Sequence, residues 1–363
     1  MEPKPLHILI SPLDWGLGHA SRCIPVIREL LKAGHKVTVA GYGRSLILLQ
    51  KEFPNLKSIE LTGFSPSYSK KGSMTLHLFL LLPRFLISIF SEYRNLNRVI
   101  NKYHFDVIIS DNRYGLRNKK INSILITHQV MIKTPGYLKF AEYPLYRISR
   151  LLISRFNECW IPDYGESPGL SGDLSHKYPL PKNTRYIGPL SRFRPASTFK
   201  EKNSVERKIT AIISGPEPQR SIFEDLLTRQ LDELNLPATI LSGKPESEDK
   251  SITTGKLTIR PHISTDKIIS IINSSSIVIC RSGYSSIMDL HALGLKALFV
   301  PTPGQTEQIY LAELHQKQGN ALCRKQESVN LSTDIEEAQT YPGFKNSTME
   351  TSIGVAVRNL KNK

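Results

Sequence analysis

Residues 280–308 constrain the fold of this chain more than any other part of its sequence. An apolar strand at Ile277–Cys280 runs into a turn of small residues, and a helix is predicted over residues 285–293. A second apolar strand and a polar loop complete the stretch. A strand, a tight turn and a helix start together present free backbone N–H groups, which bind anions. The stretch therefore predicts a βαβ unit, either with an anion site at its turn or as plain scaffold.

A glycine loop follows an apolar strand near the start of the chain in the same way. The strand is predicted over residues 7–11, and the loop carries Gly16, Gly18, His19 and Arg22 ahead of a helical pattern. Open α/β sheets bind ligands at the carboxyl ends of their strands, so we expect this loop to line a site. His19 and Arg22 lie three residues apart and therefore share a face of the first helical turn.

Alternating strands and helices continue on both sides of a segment rich in proline, serine and charge, residues 191–206. The pattern predicts an α/β chain of two Rossmann-like domains, residues 1–190 and 207–345, joined by this segment as a linker. A final helix is expected within residues 346–363, and it can return to the first domain. A chain of 363 residues is long enough for two domains.

The positive charge is concentrated in the first half of the chain. The net charge of the chain is +16. Residues 1–190 hold 26 Lys and Arg against 13 Asp and Glu, whereas the charges of residues 191–363 are nearly balanced. A basic half favours a polyanionic partner, and an anionic membrane is preferred because the sequence has no motif typical of nucleic-acid binding. The four cysteines occur singly and are expected to be reduced thiols of a cytosolic protein.

Two segments of the basic half combine apolar and basic residues. Residues 76–90 form an apolar run interrupted by Pro83 and Arg84, which predicts either a buried core helix or a helix that docks on a membrane. Basic residues flank this run at Lys70, Lys71, Arg94, Arg98 and Lys102. Residues 133–156 mix arginine and lysine with aromatic residues, which suits a membrane interface or a solvated helix face.

Polar residues follow several other strands and are candidates for the same sites. Asp111 to Arg113 follow one predicted strand, and Thr127 to Gln129 follow the next. In the second half, Gly215 and Arg220 bracket a loop between a strand and a helix, which is a second corner suited to phosphate.

Together these motifs resemble the nucleotide-sugar glycosyltransferases of the GT-B fold, whose two Rossmann-like domains face each other across a cleft. The strongest resemblance is to MurG-type enzymes, which carry a glycosyltransferase family 28 C-terminal domain. Their pattern is C-R-S-G, an acidic residue six positions on, A-x-G, A-L-F-V-P and a loop with glutamine. The matching residues here are Cys280 to Gly283, Asp289, Ala292 to Gly294, Ala297 to Pro301 and Gln308.

The resemblance implies a role for each matching residue. Asp289 stands where the family has glutamate and would bind the ribose hydroxyls. The turn and helix start would hold the diphosphate through Arg281, Ser282, Gly283 and Ser285. The backbone at Ile263, beside His262, would recognise uracil, which implies UDP. The resemblance further implies that the donor sugar contacts Gln305, Glu307 and Gln308. It also implies that the phosphates contact Arg192, Gly215 and Arg220.

Sugar transfer requires a base for the acceptor hydroxyl and positive charge near the departing diphosphate. His19 is the candidate base, because histidine titrates near neutral pH, and Asp111 is the second candidate. Arg22, Arg192 and Arg220 are candidates for stabilising the leaving group. The first half has no Asp-x-Asp motif, so we expect no metal and no cofactor beyond the nucleotide-sugar substrate.

The sequence therefore predicts a cytosolic glycosyltransferase at the inner face of the plasma membrane. It would move a hexose or N-acetylhexosamine from a UDP-sugar to a lipid-linked or cell-envelope glycan acceptor. Three alternatives stay open. The glycine loop with Arg22 and Cys23 also resembles nucleotide-sugar hydrolases of pseudaminic acid synthesis, in which His19 would activate water. An epimerase of the same fold and a non-catalytic sugar-nucleotide sensor are the others.

Overall fold

The structure is a computed structural model that describes residues 4–63, 74–193, 208–248, 250–345 and 352–360, with the side chains of 74–84 left out. The chain divides into two compact units, which we describe separately. The described part of the first comprises residues 4–63, 75–190 and 352–360. The described part of the second comprises residues 191–193, 208–248 and 250–345.

The first unit is built on a parallel sheet with the strand order β3-β2-β1-β4-β5-β6-β7. Its central strands are buried except for the partly exposed His7 at the start of β1, as expected when helices cover both faces of a sheet. The strands are β1 (His7–Pro12), β2 (Lys36–Gly41), β3 (Lys57–Glu60), β4 (Val107–Asp111), β5 (Asn122–Ile126), β6 (Glu158–Ile161) and β7 (Thr184–Tyr186).

Helices connect these strands. The helices of this unit are α1 (Leu17–Lys32), α2 (Gly43–Glu52), α3 (Met74–Lys102), a 3₁₀ helix (Gly136–Ala141), α4 (Glu142–Ile153) and α5 (Asp173–His176).

The second unit repeats the architecture with the strand order β10-β11-β9-β8-β12-β13-β14, in which only the pair β10–β11 is antiparallel. The strands are β8 (Ile209–Ile212), β9 (Ala238–Leu241), β10 (Ile252–Thr254), β11 (Leu257–Arg260), β12 (Ile277–Cys280), β13 (Ala297–Phe299) and β14 (Ala321–Cys323). The helices are α6 (Gln219–Leu234), α7 (Thr265–Asn273), α8 (Tyr284–Leu293), α9 (Thr306–Lys317) and α10 (Leu331–Thr340).

The last described helix, α11 (Ile353–Arg358), belongs to the first unit and packs against α1. The predicted α/β architecture with a C-terminal helix that returns to the first domain is therefore confirmed. The predicted linker differs in one respect, because Ser191–Phe193 forms part of the second unit. Residues 194–206 lie outside the described residues.

The strand register brings the candidate loops of each unit together. Pro12 of β1 is aligned with Asp111 of β4, and Asp111 is aligned with Ile126 of β5. In the second unit, Cys280 of β12 is aligned with Ile212 of β8 and with Phe299 of β13. The residues that follow these positions therefore share one edge of each sheet, as predicted for open α/β sheets.

Two predictions about helices are wrong. The polar loop expected at residues 305–308 is the start of a helix, because α9 begins at Thr306 and Gln305 is its N-cap residue. The buried core helix is also wrong for residues 85–90 of α3, since Leu86, Ile87 and Phe90 are 49%, 68% and 61% exposed. No helix within the described residues is both long and apolar enough to span a membrane.

Candidate active site

The candidate base of the first unit lies beside a buried carboxylate. His19 is in the first turn of α1, and its Nδ1 is 3.3 Å from Oδ1 of Asp111 at the end of β4. The His19 side chain is 19% exposed, whereas that of Asp111 is fully buried. With Nδ1 directed at the carboxylate, the imidazole can present Nε2 to a ligand, which is the arrangement a general base requires.

Arg22 connects this pair to a second histidine. Its guanidinium donates to both carboxylate oxygens of Asp111, from Nε over 2.7 Å and from Nη2. Nη1 lies 3.0 Å from Nδ1 of His128, and Nη2 lies 2.9 Å from Nδ1 of His19. A guanidinium only donates hydrogen bonds, so Nδ1 of His128 accepts and is unprotonated. The His128 ring is then neutral, with its proton on Nε2.

The same geometry defines a competition at His19. Nδ1 can accept from Arg22, or it can carry a proton and donate to Asp111. Only the second tautomer leaves Nε2 with the lone pair that takes a proton from a substrate. A hydrogen bond from Nδ1 to Asp111 would hold the basic tautomer, and the Asp111 carboxylate would stabilise the imidazolium that forms when Nε2 takes up a proton.

Two roles predicted for this unit need correction. Asp111 is a poor base because it is buried and already accepts hydrogen bonds from Arg22. Burial alone would raise the pKa of Asp111, but Arg22 and His19 lower this pKa to about 2. Arg22 is 2% exposed and its donors face Asp111 and the two histidines, so it is not placed to bind phosphate. Both residues orient His19.

The glycine loop has the backbone shape that only glycine adopts readily. Gly16, the N-cap residue of α1, has φ = 145°. A Cβ atom at Gly16 would meet no other atom within 4 Å, so the space in front of the loop is open. Gly18 lies in the first turn of α1, where its carbonyl accepts from the hydroxyl of Ser21 over 3.0 Å.

In the second unit, the turn after β12 leads into α8 with an open helix start. Gly283 is the N-cap residue, and a Cβ there would also meet nothing within 4 Å. Backbone N–H groups at this end of α8 can therefore bind a diphosphate, as predicted for the turn. Ser285 lies in the same first turn and is partly exposed.

The charged and hydroxyl side chains of this turn are committed to the protein itself, contrary to prediction. Arg281 is fully buried against the ring of Phe223, and burial lowers its pKa to about 9. Its guanidinium donates to the carbonyls of Val300, Pro301 and Gln219 and to the side chain of Gln326. The buried hydroxyl of Ser282 donates to the carbonyl of Gln308 over 2.7 Å.

Asp289, the predicted ribose ligand, lies on α8 with its side chain 15% exposed. Its Oδ1 accepts from the hydroxyl of Ser191 over 2.6 Å, and Oδ2 lies 3.5 Å from Nε of Arg192. Burial raises the pKa of Asp289, while Arg192 and the Ser191 hydroxyl oppose that shift. The structure thus brings together two residues that the sequence predicts as nucleotide contacts, Arg192 and Asp289.

In the loop after β8, the space beside the glycine is open, whereas the arginine is buried. Gly215 has φ = 107° and open space at its Cβ position. Arg220 is 4% exposed and pairs with Glu217 over 2.6 Å and with Glu224 over 2.9 Å. The predicted phosphate contact of Arg220 is therefore wrong, because two carboxylates neutralise it inside the unit.

The remaining predicted contacts of the second unit lie at the same sheet edge, and they differ in how far they are buried. Gln308 is 7% exposed, and its Oε1 accepts from the backbone N–H of Thr302 over 2.8 Å, so this oxygen holds the β13–α9 loop. Glu307 lies in the first turn of α9. Ile263 is buried, and the neighbouring His262 is partly exposed.

Sequence reasoning missed three partners of the site. Glu217 and Glu224 stand three residues before and four residues after Arg220, and this helical spacing predicts the ion pairs. Ser191 gives no such signal, since only the fold brings it to Asp289. Within the described residues, no three or more His, Cys, Asp and Glu side chains are grouped to hold a metal ion.

Comparison with known proteins agrees with this geometry. Residues 221–362 match the family described as glycosyltransferase family 28 C-terminal domain. An uncharacterized glycosyltransferase of Methanosarcina acetivorans is 26% identical over 86% of this chain and 84% of its own length.

Two further matches extend the comparison. The Lactococcus lactis UDP-N-acetylglucosamine–N-acetylmuramyl-(pentapeptide) pyrophosphoryl-undecaprenol N-acetylglucosamine transferase is 28% identical over 32% of this chain and 35% of its own. The structure of spinosyn rhamnosyltransferase SpnG complexed with thymidine diphosphate has a TM-score of 0.63 at 14% identity, covering 97% of this chain and 95% of its own.

The two parallel α/β units and these matches define a glycosyltransferase of the GT-B fold. Residues 221–362, which include most of the second unit and α11, are of the family 28 C-terminal type. The resemblance and the enzyme class that the sequence predicts are confirmed.

Proposed function

We propose that this enzyme transfers a hexose or N-acetylhexosamine from a UDP-sugar to a hydroxyl of a lipid-linked or cell-envelope glycan acceptor. The observation that carries the proposal is the contact of His19 with the buried carboxylate of Asp111. The preference for UDP and for a lipid-linked acceptor is supported by the printed name of the Lactococcus relative. It is also supported by the basic charge of the first half of the chain.

In the proposed reaction, Nε2 of His19 takes the proton of the acceptor hydroxyl as that oxygen attacks the anomeric carbon. The bond between the anomeric carbon and the phosphate oxygen breaks, and UDP leaves with the electron pair. Asp111 stabilises the imidazolium through Nδ1, and Arg22 holds Asp111 in place. No step requires a metal ion, since the α8 N-terminus and Arg192 supply positive potential to the diphosphate.

The donor is proposed to bind the second unit. Backbone N–H groups at Gly283 and Ser285 and the open loop at Gly215 would hold the diphosphate, and Asp289 would hold the ribose. The backbone at Ile263 would recognise uracil. Gln305 and Glu307, at the start of α9, would contact the sugar.

Donor binding is the first test. Thermal shifts should be measured with UDP-, GDP- and TDP-sugars, because a donor present at 100 times its Kd adds about 2.7 kcal/mol of stability. We expect UDP-sugars to give the largest shift. A larger shift with TDP- or GDP-sugars would contradict the nucleotide assignment.

Transfer is the second test. The preferred donor, labelled in its sugar, should be incubated with lipid-linked acceptors and, separately, without acceptor. Label that enters the lipid fraction supports the proposal. Release of free sugar without acceptor, at a rate equal to transfer, would favour a hydrolase. Binding of UDP with no turnover under any condition would favour a sensor.

We further propose that the enzyme works in the cytosol, bound to an anionic membrane through its first unit. Among the described side chains of α3, the large apolar ones of Leu86, Ile87 and Phe90 are exposed, and Arg94 lies over the Phe90 ring. Tyr137, Phe140 and Leu151 are also 65%, 77% and 65% exposed, on the 3₁₀ helix and on α4. The exposed Lys139, Arg147 and Arg150 accompany them. Apolar and basic residues together bind an anionic interface.

Vesicles of phosphatidylglycerol and phosphatidylcholine test this surface. Ile87→Glu and Phe140→Glu should each reduce co-sedimentation several-fold, because a carboxylate opposes both insertion and anionic lipid. Ile252→Glu is the matched control, since Ile252 is 63% exposed but lies in the second unit. Equal binding by all three variants would contradict the proposal.

A further inference from the structure

Ser191 holds Asp289 through a hydroxyl whose orientation is fixed. The hydroxyl accepts from the backbone N–H of Phe193 over 3.1 Å and donates to Oδ1 of Asp289 over 2.6 Å. Accepting from Phe193 turns the hydroxyl so that its proton points at the carboxylate. The short distance is typical of a hydroxyl that donates to a charged oxygen.

The segment that carries Ser191 is anchored in the second unit. Phe193 is 2% exposed, and the guanidinium of Arg192 lies over its ring at 4.8 Å. The backbone N–H of Arg192 donates to Asp289 as well. The turn Ser191–Phe193 therefore holds the Asp289 carboxylate through two hydrogen bonds, from the Ser191 hydroxyl and the Arg192 N–H.

We propose that Ser191 is a positioning residue for the ribose of the donor nucleotide, acting through Asp289. The inference rests on the proposed function, in which Asp289 binds the ribose. A carboxylate has about four acceptor sites. The Ser191 hydroxyl and the Arg192 N–H occupy two of them, which leaves two for the two hydroxyls of a ribose.

The Ser191 hydrogen bond also favours the ionised form of Asp289. The charged or titratable groups that face the carboxylate are Arg192, which favours ionisation, and the buried Cys280 thiol, whose pKa burial raises to about 12. Burial raises the pKa of Asp289, and the Ser191 hydrogen bond counteracts it. Without that bond the pKa rises further, so Asp289 takes up its proton at a higher pH and accepts fewer hydrogen bonds from ribose.

The test compares UDP with 2′,3′-dideoxy-UDP in the full-length protein by calorimetric titration. Ser191→Ala should weaken UDP binding about tenfold, the value of one hydrogen bond to a charged group, and leave dideoxy-UDP binding unchanged. The fall of UDP affinity on acidification should also begin at a higher pH. Ser191→Thr, which keeps the hydroxyl, should restore the parent behaviour. Ser276→Ala, which removes a hydroxyl bonded to the Lys208 carbonyl, is the matched control.

Three outcomes distinguish the possibilities. Unchanged or tighter UDP binding by Ser191→Ala would overturn the inference, because Ser191 would then be irrelevant to the ribose or compete with it. An equal loss of UDP and dideoxy-UDP binding would also overturn it, since the effect would be structural. If the parent protein binds neither nucleotide, or binds both equally, the proposed role of Asp289 fails and Ser191 loses its role with it.

Discussion

The two glycine-containing turns of the chain, after β1 and after β12, use their charged residues in different ways. In the first unit, charges from two elements meet at the turn, where His19 is partly exposed above the ion pair of Asp111 and Arg22. In the second unit, Arg281 and Arg220 are turned inward and donate to groups of the protein itself. The open features there are backbone N–H groups and Asp289.

The difference matches two kinds of chemistry. Proton transfer needs a titratable group with a fixed orientation and a nearby countercharge, and the first unit supplies both. A diphosphate can bind at a helix N-terminus, where the positive potential comes from backbone N–H groups and not from a charged side chain. Buried arginines in the second unit then have a structural role, since each one holds loops that shape the turn. The following predictions test this division, from the largest expected effect to the smallest.

Asp111→Asn should have the largest effect on turnover. The amide cannot stabilise the imidazolium of His19 and does not select its basic tautomer, so we expect turnover to fall about 10²- to 10⁴-fold. UDP affinity should stay within about twofold, because the second unit is unchanged. Steady-state kinetics and calorimetric titration provide the two measurements. Turnover near that of the parent would show that Asp111 is only structural.

Arg281→Met should lower the stability of the second unit without weakening its binding of UDP. It leaves the buried carbonyls of Val300 and Pro301 without their donor, which we expect to cost about 3 kcal/mol of unfolding free energy. UDP affinity of the folded protein should change little. Differential scanning calorimetry and titration measure both quantities, and Arg229→Met on the exposed face of α6 is the control. A large loss of affinity with little loss of stability would restore Arg281 as a ligand contact.

Acid should affect the two aspartates with opposite sign. The pKa of Asp111 is about 2 against an ordinary 3.8, so its contribution, about 2 kcal/mol, is present above pH 3.8 and is lost as pH falls toward 2. The pKa of Asp289 is raised, so its ionisation costs stability, and acidification through that pKa removes the cost.

Urea unfolding as a function of pH measures these slopes. Both tryptophans, Trp15 and Trp160, lie in the first unit, so their fluorescence follows that unit alone. Asp111→Asn should flatten its acid-dependent loss of stability. Hydrogen exchange in α8 reports the second unit, where Asp289→Asn should remove a gain of stability on acidification. The same sign for both aspartates would contradict the comparison.

The fold was largely predictable from the sequence, whereas the availability of site residues was not. Fully apolar strands and glycine-ended helices predict parallel α/β units, and the helix after Gly283 lies where the pattern placed it. Motif positions alone do not show where a guanidinium points. Arg22, Arg220 and Arg281 all looked like phosphate ligands, yet each is buried against carboxylates or carbonyls.

Contacts between residues distant in sequence account for the rest. Ser191 and Asp289 are 98 positions apart, and Arg22 and His128 are 106 apart. No helical or strand period links such pairs, so only the completed sheet brings them together. The exposed face of α3 was open to prediction as an alternative, since apolar side chains flanked by basic ones suit either a core or an interface.

The division of roles is tested most directly by measuring turnover and UDP affinity together in His19→Ala and in Asp289→Ala. We expect His19→Ala to reduce turnover about 10³-fold with UDP affinity within about twofold of the parent. Asp289→Ala should instead weaken UDP binding more than about tenfold, while turnover at saturating donor falls far less. Full turnover by His19→Ala, or a loss of UDP affinity equal to that of Asp289→Ala, would contradict the assignment of chemistry to the first unit and donor binding to the second.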